Sequence, residues 1–85
     1  MQREMFPKEV TSHVPRMTLT GHERLHIEQH RGLVTYEPEH IAMRTSIGLV
    51  HVEGAGMVFL LYTAAEAIVT GRIDRVSVQS PGGRG

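Results

Sequence analysis

The sequence contains no cysteine and no tryptophan among its 85 residues, and its 9 basic side chains balance its 9 acidic ones. Without cysteine the chain has no disulfide, no thiolate nucleophile and no Cys-type zinc site, which is consistent with a reducing compartment. A formal net charge of zero argues against nucleic-acid binding driven by phosphate attraction, because that attraction needs a basic excess. We therefore expect no nucleic-acid partner.

Long apolar stretches are also missing. Residues 1–16 contain scattered charges together with Pro7 and Pro15, and they lack the ~7–15 consecutive apolar residues of a secretory signal. The most apolar window, residues 57–69, includes Glu66 and is shorter than the ~20 residues of a spanning helix. We therefore expect no membrane span and a cytoplasmic location, with peripheral attachment to a membrane through a partner left open.

What is present is the composition of one small folded domain. Hydrophobic residues make up 40% of the chain and charged residues 21%. This hydrophobic content is too high for a disordered protein. Pro and Gly punctuate the two ends, and the chain closes on the turn-forming residues SPGGRG. We predict an N-terminal arm over residues 1–16, a β domain over residues 17–78 and a flexible tail over residues 79–85.

Apolar and polar residues alternate with period two between regularly spaced turn signals. Leu25 and Ile27 fall on one face of a strand and His26 and Glu28 on the other, and later runs repeat this pattern. The pattern predicts an all-β fold, a small antiparallel sheet of about six to seven short strands, rolled or sandwich-like. Turn signals recur at Gly48, at Gly54 with Gly56, and at Gly71, although Gly71 also continues the alternation of a strand over residues 69–73.

Residues 57–69 allow two interpretations. Residues 58–62 (VFLLY) are apolar on both faces, which predicts a strand that is buried twice, with a partner as one source of the second cover. Residues 63–67 (TAAEA) favour a helix, so one helix over residues 57–69 is the alternative. Aromatic and β-branched residues at both ends favour strand, short connection, strand.

The histidines are the strongest hint of a metal site, and the sequence contains six. Three of them recur at every fourth position: His22, His26 and His30. On a strand, consecutive members of such a series lie about 13 Å apart, too far to share one zinc ion. We predict solvent-facing side chains for these three and for the isolated His13, His40 and His51, and we expect no metal and no cofactor.

Other patterns also fail to indicate catalysis. Glu37 and Glu39 flank a proline in a predicted turn. A turn provides no dry pocket that would give the two carboxylates the different pKa values of a general acid–base pair. Gly54 and Gly56 form a lone G-x-G without the remainder of a phosphate-binding loop, and no serine lies in a nucleophile motif. The chain is therefore not predicted to be an enzyme.

Four segments in order resemble one known family. Residues 14–21 (VPRMTLTG) are similar to an L-P-R-I-T-x-x-G entry, and residues 27–32 (IEQHRG) to an I-E-N-H-[KR]-G motif, with Gln29 at the Asn position. Further matches are an apolar strand, glycine and strand rhythm over residues 41–54 and a closing pattern over residues 66–76. On these motifs the chain resembles the YabP/YqfC family of sporulation proteins, and within it the YqfC branch.

The resemblance implies a small non-enzymatic protein that takes part in endospore formation. Its place would be the cytoplasm of the mother cell, with peripheral attachment at the membrane that engulfs the forespore. Its partner would be a sporulation membrane protein encoded nearby. The family implies a process and no reaction, so we expect an interaction or scaffold factor.

The same segments supply the candidate contact residues. Glu28 and His30 share strand parity opposite the apolar face, and Arg16 and Arg31 lie in the family-like motifs with a side chain that interfaces favour. These four residues are the predicted partner contacts. The alternative is that Gly32 sets a turn and its neighbours are incidental.

The small size of the domain bears on its assembly. A domain of this length buries only about 60% of its unfolded surface, which predicts a homo-oligomer that completes the core. A small ligand- or metal-binding β module and a self-polymerising β-stack remain as alternatives.

Overall fold

The computed structural model describes residues 14–80, which form one antiparallel sheet and contain no helix. The strand order across the sheet is β1-β2-β6-β5-β4-β3. The all-β prediction is therefore confirmed, with six strands: β1 (Arg16–Thr20), β2 (Arg24–Glu28), β3 (Leu33–Glu37), β4 (His40–Thr45), β5 (Gly48–Tyr62) and β6 (Glu66–Gln79).

Two long strands run through the whole sheet. One edge of β5 pairs with β6 from Leu49 to Tyr62. On their other edges, the first part of β5 pairs with β4 and the start of β6 pairs with β2. The predicted turn at Gly54 and Gly56 is wrong, because β5 continues through these residues, whereas the predicted alternation of residues 69–73 through Gly71 lies within β6. The glycines instead mark irregularities in the β5–β6 register, where the sheet bends.

Close backbone contact explains why glycine occupies the bend. A Cβ atom on Gly54 would overlap the carbonyl oxygen of Arg72 on the neighbouring strand. A Cβ on Gly71 would lie 2.5 Å from the carbonyl oxygen of Gly56, and Gly71 also has a φ of +127°. Only glycine accepts both conditions at low cost, so these residues permit β5 and β6 to fold over together.

The bend divides the sheet into two halves whose apolar faces pack against each other. We call them the β4 half (β3, β4, the start of β5 and the end of β6) and the β2 half (β1, β2, the start of β6 and the end of β5). One cluster of buried side chains joins them, as in packings where strands pass from one layer to the next. Its members come from both halves and from the bend: Leu25, Ile27, Ile41, Met43, Val50, Val52, Met57, Ala67, Val69 and Ile73.

A short crossover carries the chain from β2 to β3. The backbone N–H groups of Gln29 and His30 both donate to the carbonyl oxygen of Ala65, at 2.7 and 3.1 Å. Gln29 has a left-handed φ of 72°, a conformation that Asn adopts more readily than most residues. This residue therefore ends the regular alternation of β2 and turns the chain toward the β4 half.

Residues 57–69 form strand, turn and strand, which confirms the favoured interpretation over a helix. The Thr63 hydroxyl accepts hydrogen bonds from the N–H groups of Ala65 and Glu66, which stabilises the turn. The expectation that residues 58–62 are buried on both faces is not met within this chain, since Val58 and Leu61 are exposed.

Most of the predicted arm and most of the predicted tail lie outside the described residues, and the proposed domain bounds stay predictions. No helix within residues 14–80 is long and apolar enough to cross a membrane.

Candidate contact face

The outer face of the β2 half, the side turned away from the core, carries an ordered array of side chains. The pairing of β1, β2, β6 and β5 aligns these side chains in rows across the strands. We call the array the contact face. Its first row is Arg16, Glu28 and Glu66; its second is Thr18, His26, Ile68 and Leu61; its third is Thr20, Arg24, Thr70 and Val58.

Two carboxylates occupy neighbouring positions in the first row. Glu28 lies directly opposite Glu66, and like charges in this position destabilise a sheet. His26 lies between them, with Nδ1 3.9 Å from Glu28 Oε2 and Nε2 3.8 Å from Glu66 Oε2. Its Nε2 atom is buried without a hydrogen-bond partner in the part of the chain that the structure describes. Among residues 14–80, His26 therefore provides the ion-pair contacts of both carboxylates.

The arginine side chains of this face have no carboxylate partner among residues 14–80. Arg16 and Arg24 are exposed, and no carboxylate of residues 14–80 lies within ion-pair distance of either one. Arg24 borders a depression of about 540 Å³ at the third row, which Thr20, Glu23, Thr70 and Gly71 also line. A guanidinium beside two threonines can bind a carboxylate from outside the chain.

Apolar side chains lie next to these charges. Val58, Leu60 and Leu61 are 51%, 59% and 38% exposed, and Leu60 is the extra residue where the β5–β6 register shifts. The sequence has no charged residue between Glu53 and Glu66. Single exposed apolar residues are ordinary, whereas an adjoining group beside unpaired charges is typical of a protein–protein contact surface.

His30 is placed differently from the prediction. Its side chain is 3% exposed, its Nδ1 accepts the N–H of Gly32 at 3.0 Å, and its Nε2 lies 2.8 Å from the carbonyl oxygen of Thr63. Because Nδ1 accepts, Nε2 carries the proton and donates to Thr63. The predicted exposure is wrong, since the left-handed Gln29 breaks the strand parity before His30. His30 instead fastens the crossover to the β5–β6 turn.

The four predicted contact residues therefore do not lie together. Arg16 and Glu28 share the contact face, whereas Arg31 is exposed at the crossover, where its N–H donates to the carbonyl oxygen of Arg44. Whether Arg16, Glu28 and Arg31 bind a partner stays a prediction. Strand parity indicated Glu28 and the family-like motif indicated Arg16, but neither indicated Arg24, Leu61 and Ile68, because no single segment of the sequence contains the strand pairing that aligns them.

The outer face of the β4 half contains a histidine pair that the sequence did not indicate. His40 and His51 are stacked, with His40 Nε2 3.0 Å from His51 Nδ1 and His51 Nε2 2.9 Å from Gln79 Oε1. The β4–β5 hairpin brings these residues together although they are eleven positions apart. No group of three His, Cys, Asp or Glu side chains within residues 14–80 is arranged to hold a metal ion.

Comparisons with known proteins cover both the bend and the contact face. The family model described as the YabP family matches residues 11–85. A Bacillus subtilis (strain 168) protein named "Uncharacterized protein YqfC" is 29% identical over 71 residues, which is 84% of this chain and 76% of that protein. No solved structure matches the chain.

Proposed function

The chain belongs to the YabP family, and from that premise we propose that it is a non-enzymatic sporulation protein that acts as an interaction or scaffold factor. Its proposed place is the mother cell, in the cytoplasm or peripherally at the membrane that engulfs the forespore. Its proposed partners are a sporulation membrane protein encoded nearby and further copies of itself.

One observation supports a role in binding more than any other. The contact face combines exposed apolar residues, represented by Leu61, with Arg24, which has no carboxylate within ion-pair distance among residues 14–80, and with Glu66, whose ion-pair contact there is with His26 at 3.8 Å. Such a combination costs a lone domain stability, and it is useful when another protein covers the apolar part and pairs the charges. It favours a protein-binding role over the small ligand- or metal-binding module.

A deletion and complementation experiment tests the sporulation role. The gene is deleted in its host, and the strain is complemented with the natural chain, with Leu61→Glu, or with the control Ser77→Glu on the outer face of the β4 half. We expect a loss of heat-resistant spores on deletion, restored by the natural chain and the control but not by Leu61→Glu.

Affinity capture from sporulating cells gives the second readout. The natural chain and Ser77→Glu should retain the same membrane protein, and Leu61→Glu should lose it, because we propose that the assembly that binds this protein depends on the contact face. Unchanged spore counts after deletion would contradict the sporulation role, and full complementation by Leu61→Glu would contradict the role of the contact face.

A further inference from the structure

We propose that the contact face is self-complementary and binds the same face of a second copy about a two-fold axis that crosses the strands along the second row. This inference rests on the homo-oligomer of the proposed function and names its surface and its register. Closed two-fold dimers are the commonest assemblies of identical chains, and they place one patch against itself.

The order of the rows determines which residues meet. A two-fold axis that lies in the interface and crosses the strands keeps each strand over its counterpart but reverses its direction. The first row of one copy then lies over the third row of the other. Glu28 then lies opposite the second copy's Arg24, and by symmetry Arg24 lies opposite the second copy's Glu28.

A second pair of opposite charges follows from the same rotation. Arg16 begins β1 and Thr20 ends it, so Arg16 comes to the second copy's Thr20. Glu23 lies in the turn directly after that strand and is exposed. Arg16 therefore approaches the second copy's Glu23, and each copy contributes two guanidinium–carboxylate pairs.

The apolar residues lie beside the charged pairs in this arrangement. The second row lies on the axis, so Ile68 and Leu61 on β6 and β5 pack against the second copy's Ile68 and Leu61, while Thr18 and His26 meet their own counterparts on the side of the charged pairs. Apolar contact next to paired charges is common in protein interfaces. The Arg24 depression, which Thr20, Glu23 and Thr70 also line, then receives the carboxylate of the second copy's Glu28, while Glu23 pairs with the second copy's Arg16.

The competing two-fold arrangement is disfavoured by charge. An axis that runs along the strands between β2 and β6 would exchange these strands, placing Glu28 over the second copy's Glu66. That rotation would bring together four carboxylates that already repel within each copy. Charge therefore selects the axis that crosses the strands.

Charge-reversal variants test the register directly. Arg24→Glu makes positions 24 and 28 both acidic, and Glu28→Arg makes them both basic, so each variant repels itself in the proposed register. We expect each single variant to associate at least tenfold more weakly than the natural chain in sedimentation velocity. The two variants mixed in equal amounts should restore association as mixed dimers, counted by native mass spectrometry.

The double variant Arg24→Glu with Glu28→Arg provides the matched control, since it restores both pairs within one chain and should dimerise like the natural protein. Circular dichroism and thermal unfolding show that each variant is folded. Single variants that dimerise like the natural chain, or a mixture of the two that stays monomeric, would overturn the proposed register.

The outcomes separate this inference from the proposed function. A natural chain that dimerises without any response to the charge reversals retains the homo-oligomer and overturns this surface. A natural chain that is monomeric overturns both the dimer and its register, while the spore count after gene deletion decides the sporulation role on its own.

Discussion

The two halves of this sheet share one core, yet their outer faces differ in how far the chain satisfies its own polar groups. On the β4 half, His40, His51 and Gln79 form a hydrogen-bonded series, and Glu53 pairs with Arg75. On the β2 half, two carboxylates face each other and both arginines lack a close carboxylate among residues 14–80. The exposed apolar residues Val58, Leu60 and Leu61 adjoin the second of these polar groups.

The difference shows where a small domain leaves its surface incomplete. Both outer faces are formed by the same period-two alternation, so the alternation alone does not explain why their polar groups are satisfied to different extents. The difference arises because polar neighbours on the β4 half bond to each other, whereas the β2 half places Glu28 opposite Glu66 and leaves Arg16 and Arg24 without a carboxylate within ion-pair distance among residues 14–80. A second protein surface would complete what the β2 half lacks.

The largest expected effect on the free energy of unfolding comes from a substitution in the bend between the halves. Gly71→Ala should lower the free energy of unfolding by about 4 kcal/mol, because its Cβ meets backbone at 2.5 Å and its φ is +127°. Gly32→Ala is the matched control, since Gly32 has a φ of +134° but open space around its Cβ, and it should cost about 1 kcal/mol. Urea unfolding measures both, and equal losses would contradict the close approach at the bend.

The next effect loosens the crossover that joins the halves. His30→Ala removes a buried ring with two hydrogen bonds, to Gly32 and Thr63, and its contact with Tyr62. We expect a loss of about 2–3 kcal/mol in the free energy of unfolding. A loss below about 0.5 kcal/mol, the range of ordinary surface substitutions, would show that the crossover does not depend on His30.

A matched pair of leucines tests the two outer faces against each other. Leu61→Thr on the β2 half should weaken self-association about tenfold, or about 1.4 kcal/mol, with little change in unfolding. Leu49→Thr, at a half-buried position on the outer face of the β4 half, should leave self-association unchanged. Sedimentation equilibrium measures both variants, and equal effects on association would remove the distinction between the faces.

A smaller effect tests whether the β4 half satisfies itself. His51→Ala removes the hydrogen bonds to His40 and Gln79, which lie on an accessible face. We expect a loss of about 1 kcal/mol in the free energy of unfolding and no change in association. A change in association would mean that this face also binds a partner.

The smallest effect concerns pH. Hydrogen bonds from Arg72 lower the pKa of Asp74, and both side chains are exposed. A lowered folded-state pKa stabilises the fold above the ordinary Asp value of about 3.9, and this contribution is lost as the pH falls through the lowered value. Asp74→Asn should therefore unfold almost like the natural chain at neutral pH and identically in acid. A large difference at neutral pH, measured by urea unfolding, would contradict a merely local pair.

Local patterns in the sequence predicted much of this fold because each strand carries its own alternation. Leu25 and Ile27 were correctly placed opposite His26 and Glu28, since strand parity depends only on neighbours in the chain. Gly54 and Gly56 predict a turn because a tight turn and a strand bend need the same glycine freedom. The sequence does not distinguish them without the partner strand.

The site was less predictable, since its residues belong to different strands. Arg24 and Glu28 acquire their meaning from the register with β6 and from the neighbouring Ile68 and Leu61, which are distant in the chain. His30 was misplaced because one left-handed residue, Gln29, reverses the side to which the next side chain points. The alternation of sides along β2 therefore does not extend to His30, because the backbone dihedral angle of Gln29 lies outside the strand region.

Sedimentation velocity of the natural chain at increasing concentration tests the central claim, that the outer face of the β2 half is completed by a second copy. We predict a monomer at low concentration that becomes a dimer by tens of micromolar. A single monomeric species over the whole range would contradict it.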